Sequence, residues 1–135
     1  MQFRKPTSEI YSPGGLPAAE ALARTTHLGI SAHQDDIEIM AMAGILETFG
    51  LPDKWFSCAI VTDGAGSPRD GIYGRYSDAE MMTVRRVEQK KAAFVGEYSA
   101  CVFLDYPSRE IKNPAEPGPA ADIQALIDAC RPEVV

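Results

Sequence analysis

From Thr26 onward the chain alternates short apolar runs with longer stretches of helical period, and no other feature narrows the fold as much. Thr26–Ala32, Trp55–Thr62 and Ala100–Leu104 have the length of strands, and the second is apolar enough to be buried on both faces. Ile37, Met40, Ala41, Ile45, Leu46 and Phe49 recur at helical spacing until Gly50 and Pro52 stop them, which predicts one helix over 37–49. Ser77 with Glu80 forms a capping box that opens a second helix, Asp78 to Val95, closed by Gly96. Pro119 begins a third, with Ile123, Leu126, Ile127 and Cys130 on one stripe. Residues 111–118, with Pro114 and Pro117, read as a loop, and Pro132–Val135 as the opening of a fourth strand. Regular alternation of this kind implies an α/β class, an open parallel sheet flanked by helices. Because the chain stops inside that last strand, the sequence is expected to end partway through a longer domain. Residues 1–25, punctuated by Pro6, Pro13, Gly14, Gly15 and Pro17, read as an N-terminal arm laid across the single domain of residues 26–135.

Composition excludes several classes of function. A hydrophobic fraction of 45% is that of a folded globular chain. The net charge of −6 with no basic stripe argues against nucleic acid or an anionic membrane surface as partner. No stretch approaches the roughly 18 apolar residues of a membrane span, and the first residues lack the apolar region of a signal peptide. Cys58, Cys101 and Cys130 are odd in number and widely spaced in apolar surroundings, so they read as reduced core residues of a cytoplasmic protein.

The chemistry is concentrated where the first strand meets the first helix. His33, Asp35 and Asp36, three side chains able to bind a metal or move a proton, lie within four positions. In open parallel sheets ligands bind beyond the carboxyl ends of the strands, where this turn falls. His33 and Asp36, on either side of a tight turn, offer imidazole nitrogen and carboxylate oxygen to one cation, ligand types that suit zinc, which leaves Asp35 free to act as a base. Spacing alone leaves a second reading open, in which Asp36 caps the helix and His33 merely ends a strand. His27, six residues before His33, would be about 20 Å from it along an extended strand and so reads as an ordinary edge or core histidine. Asp63–Gly71 is a glycine-rich loop without the lysine of a phosphate-binding loop, placed beside the turn. Arg85 and Glu88, three apart on the second helix, either pair or belong to a solvated face.

Ala32-His33-Gln34-Asp35-Asp36-Ile37-Glu38 resembles the Ala-His-Pro-Asp-Asp-x-Glu signature of the LmbE-like de-N-acetylases, the family of the N-acetylglucosaminyl-phosphatidylinositol de-N-acetylase. Val61-Thr62-Asp63-Gly64-x-Gly66, Arg85-Arg86-x-Glu88 and Phe103-Leu104-x-x-Pro107 resemble its further motifs, so that the likeness runs over about residues 26 to 135. The resemblance implies a Rossmann-like fold. It further implies zinc, or another divalent metal, on His33 and Asp36, Asp35 as general base and Arg85 as a substrate-contacting residue. A third zinc ligand would come from a His-rich motif after the fourth strand, beyond Val135. Gln34 replaces the usual proline, which is expected to loosen the turn, and Ser108 stands where many members have an aspartate that contacts the sugar.

The implied activity is hydrolysis of an N-acetylated amino sugar or its glycoconjugate, a small-molecule substrate. The rival from another class is a receiver domain in which Asp35 and Asp36 bind magnesium and Asp105 accepts phosphate; a binding module of the same fold without catalysis is a third. The unpaired strand edge near Val134 and Val135 would also permit a homo-oligomer.

Overall fold

The computed structural model describes residues 1–135. Three parallel strands form its centre: β2 (His27–Ser31), β3 (Phe56–Thr62) and β4 (Ala100–Tyr106), each beside the next in chain order. Every residue of β3 and β4 is buried, the consequence of a sheet covered on both faces. Side chains alternate between the two faces. Ala59, Val61, Val102 and Leu104 pack with Leu22 of α1 (Ala18–Ala23) and Leu126 of α6 (Gly118–Cys130). Cys58, Ile60, Cys101 and Phe103 pack instead with Ile37 of α2 (Asp36–Met40), Ile45 of α3 (Met42–Thr48) and Ala93 of α4 (Asp78–Val95).

The α/β architecture expected from the alternation is present, with an addition at each edge. Residues Glu9–Tyr11 of the arm form β1, antiparallel to β4, so the sheet is mixed and runs β1-β4-β3-β2. Glu9 fastens this short strand to α4 by ion pairs with Arg86 and Lys90. Burial alone would raise the Glu9 carboxyl, but Lys90 and Arg86 bring it below its ordinary value. At the other edge Val134 pairs with His27 in parallel, and Leu28 N–H donates to Val134 O at 2.9 Å. The chain therefore winds from β2 through β3 to β4 and returns to the outer side of β2. The strand order reverses there, and such switch points open a crevice at the carboxyl ends of the strands.

Two local expectations give way. The helix over 37–49 is two helices, because Ala41 leaves helical geometry at φ −107° and ψ 18°. Gly29 on β2 lacks a side chain, and Ile37 and Ala41 crowd onto that bare backbone, where a Cβ would lie 3.1 Å and 3.5 Å from them. Met40, Leu46 and Phe49, placed inside by periodicity, are exposed. A short turn of helix, α5 (Ser108–Ile111), also runs into the first residue of the segment 111–118 read as a loop. The capping box, by contrast, forms as its residues dictate: Ser77 Oγ accepts from Glu80 N–H at 3.3 Å while Glu80 accepts from Ser77 N–H at 2.8 Å. It starts the helix that carries Arg85.

Candidate active site

Beyond the end of β2 the chain makes a tight turn over His33, Gln34 and Asp35 before α2 begins. Asp35 holds it in a left-handed conformation, φ 78° and ψ −25°. Aspartate visits this region more readily than most residues, yet such a conformation costs on the order of 1–3 kcal/mol and persists only where the surroundings impose it. Here they do. Asp35 N–H donates to Gln89 Oε1 at 2.9 Å, and Arg85 Nη2 donates to Gln34 O at 2.7 Å. Gln34 Nε2, buried, donates to Thr62 O at 3.2 Å and ties the turn to the end of β3. Gln34 therefore fastens the turn that it was expected to loosen.

Two of the three candidate side chains, His33 and Asp36, meet, while Asp35 turns to Arg85. His33 Nδ1 lies 3.3 Å from Asp36 Oδ2, and His33 N–H donates to the same oxygen at 2.9 Å. Asp36 thus reaches back to the turn, and no side chain caps α2, so the reading in which Asp36 caps the helix is not the one this geometry takes. Asp35 Oδ2 instead accepts from Arg85 Nη2 at 2.7 Å, while Arg85 Nη1 donates to Glu88 at 2.6 Å. Burial would lower the Arg85 guanidinium, but Asp35 and then Glu88 carry it above its ordinary value, so it stays charged. The Arg85–Glu88 spacing belongs to the site wall rather than to a purely solvated face. His27, at the far end of β2, is buried against Thr26 and Glu47 and takes no part.

His33, Asp35, Asp36 and Arg85 line one cavity of about 480 Å³ with Thr62, Gly64, Gly66, Ser67, Pro68, Ser108 and Lys112. None of these residues is hydrophobic, and the volume falls within the range of small-molecule sites, so the hollow suits a polar ligand with many hydroxyls. A larger recess, about 590 Å³ beside Trp55, Phe94 and Tyr98, lies at the amino ends of β3 and β4 and contains no residue of the turn. The glycine-rich loop forms one wall as its position promised. Arg69 braces it, donating to Ala65 O and Tyr76 O at 3.0 Å and pairing with Asp78 at 2.6 Å.

Gly64 is where this wall meets the turn. Its φ is +79°, and a Cβ there would lie 3.0 Å from Gln34 Oε1 and 3.1 Å from Arg85 Cβ. Gly64→Ala should therefore destabilise the protein by about 1–2 kcal/mol from the backbone alone, and should displace two residues that hold the site. Urea unfolding measures the first effect; an unchanged midpoint would mean that the loop adapts freely.

Two of the side chains are of the kinds that bind a metal. An imidazole nitrogen and a carboxylate oxygen converge on one side of the cavity, the mixed N/O pair that zinc accepts, and no third His, Cys, Asp or Glu joins them in a cluster. Asp105, which a receiver would need as its phosphoacceptor, does not face the cavity. The register with β3 shifts between Ile60 and Thr62, Asp105 takes a positive φ of 63°, and its buried carboxylate accepts from Arg86 Nη2 at 2.7 Å. The receiver reading fails on that geometry.

Sequence reasoning missed Gln89, Lys112 and the part played by Gly64. A buried glutamine one residue beyond Glu88 carries no local mark, and Lys112 is signalled only by its place one helical turn after Ser108.

The sequence profile of the PIG-L family, described as GlcNAc-PI de-N-acetylase, matches residues 28–135. No curated protein and no solved structure matches the chain. No helix is long and apolar enough to cross a membrane.

Proposed function

We infer the reaction from kinship and geometry together: the chain belongs to the PIG-L family, GlcNAc-PI de-N-acetylase, and its cavity is lined by the carboxylate of Asp35 beside the imidazole of His33 and the carboxylate of Asp36. The protein is a hydrolase that removes an N-acetyl group from an amino sugar or its conjugate. The observation that carries this reading is the convergence of His33, Asp35 and Asp36 on a hydroxyl-friendly hollow.

His33 and Asp36 are the residues that would hold zinc or another divalent ion, which supplies a Lewis acid for the amide carbonyl and makes a water molecule easier to deprotonate. Asp35, its carboxylate exposed to the cavity and steadied by Arg85, accepts a proton from the attacking water. The water oxygen bonds to the carbonyl carbon and a tetrahedral intermediate forms. Asp35 then returns the proton to the nitrogen as the carbon–nitrogen bond breaks, releasing acetate and a free amine. Arg85 serves here chiefly to orient Asp35, because both its terminal nitrogens are committed to protein acceptors while it lines the cavity. Ser67, Ser108 and Lys112 stand on the cavity wall, where they would meet sugar hydroxyls or a conjugated group.

The test is release of a primary amine from N-acetylglucosaminyl conjugates, followed before and after chelation. We expect release that stops on removal of divalent metal and returns with zinc. No release from any such conjugate would overturn the assignment, and release indifferent to chelation would remove the metal from it.

A further inference from the structure

We propose that Gln89 is a positioning residue of this site, holding the backbone of Asp35 in the one conformation that aims its carboxylate into the cavity; the inference rests on reading Asp35 as the base. Gln89 is 2% exposed, in the interior between α4 and the turn. Its Oε1 accepts from Asp35 N–H at 2.9 Å, and its Nε2 donates to Glu38 Oε1 at 2.9 Å. Tyr98 donates its hydroxyl to the same Glu38 oxygen at 2.8 Å, and burial, reinforced by Glu38, pushes the Tyr98 phenol well above its ordinary value, so it stays a donor.

The order of these bonds is dictated by chemistry. A carboxylate only accepts, so the NH₂ of Gln89 must turn toward Glu38, and the oxygen is left for the Asp35 amide. Glu38 thus fixes which way the glutamine faces, and the glutamine fixes the turn. Arg85, four residues earlier on α4, grips the Asp35 carboxylate from the same side. One helix therefore holds the residue twice, once by its backbone and once by its side chain. Two grips are warranted because Asp35 has a positive φ and α2 has no side-chain cap to stabilise the turn.

The test compares Gln89→Met, close in size but without the acceptor, with the double exchange Gln89→Glu and Glu38→Gln, which keeps an acceptor for Asp35 N–H and a donor between the two side chains. Two quantities are read in the intact protein: turnover, and hydrogen exchange at the Asp35 amide with the amides of Ile60 and Phe103 as internal references. For Gln89→Met we expect kcat to fall about 10- to 100-fold with KM held within about twofold, as displacement of a reacting group produces. The Asp35 amide should exchange about tenfold faster while the two reference amides keep their rates. The double exchange should recover both quantities to within about threefold of wild type.

Unchanged kcat and unchanged Asp35 protection in Gln89→Met would overturn the proposal. If that variant fails to fold, a folded double exchange with an unprotected Asp35 amide overturns it equally. A wild-type protein that deacetylates nothing would sink the proposed reaction, while the exchange measurement would still judge the role of Gln89.

Discussion

Asp35→Asn should leave a folded protein that binds substrate and metal as before and hydrolyses about 10²- to 10⁴-fold more slowly, the range that general-base catalysis supplies. The Asp35 side chain is 62% exposed, so the exchange disturbs little packing, and surface substitutions of this kind usually change stability by less than about 0.5 kcal/mol. An asparagine oxygen can still accept from Arg85 Nη2, so the turn keeps its brace. What is lost is the ability to take a proton. The effect should therefore appear in kcat, with KM little altered, because the interaction removed acts only as the water attacks. Steady-state kinetics beside a thermal melt decide the matter. Wild-type turnover in the variant would move the base elsewhere in the cavity.

His33→Ala should sharply weaken zinc binding, again with the fold retained, because the imidazole is 59% exposed. Even partners outside the first ring of ligands are worth about 10- to 100-fold in metal affinity, so deleting one of two converging donors should cost at least about 100-fold. Asp36→Ala should have the same effect on zinc and an added effect on stability, because Asp36 also accepts the His33 amide proton. Loss of that bond is worth roughly 0.5–1.5 kcal/mol. The two variants thus separate ligation from the shaping of the turn. Metal analysis after equilibrium dialysis provides the measurement, and equal zinc in wild type and His33→Ala would exclude His33 as a ligand.

Much of this molecule could be derived from near neighbours in the chain. The strands β3 and β4 were legible because a short, largely apolar run can satisfy its surroundings only when it is covered. The limits of α4 were legible because a cap is local chemistry: Ser77 and Glu80 exchange hydrogen bonds across three residues whatever the rest of the chain does. The grouping of His33, Asp35 and Asp36 at a strand-to-helix turn was equally evident, since four consecutive positions cannot lie far apart.

Only the tertiary structure decided which of these groups face which. β1 is three residues long and half-buried, and it exists as a strand because β4 offers an open edge and α4 offers Arg86 and Lys90 to Glu9. The break at Ala41 follows from the closeness with which Ile37 and Ala41 pack on Gly29, a contact between elements that no period can express. Asp105 and Asp35 each end or follow a strand, yet a bulge turns the first toward Arg86 and away from the cavity, while Arg85 and Gln89 hold the second in place. Sequence spacing identifies residues capable of the chemistry. Which of them reach the same few ångströms depends on the pairing of β2 with β3 and on the face of α4 laid against the turn, both set by burial over the whole sheet.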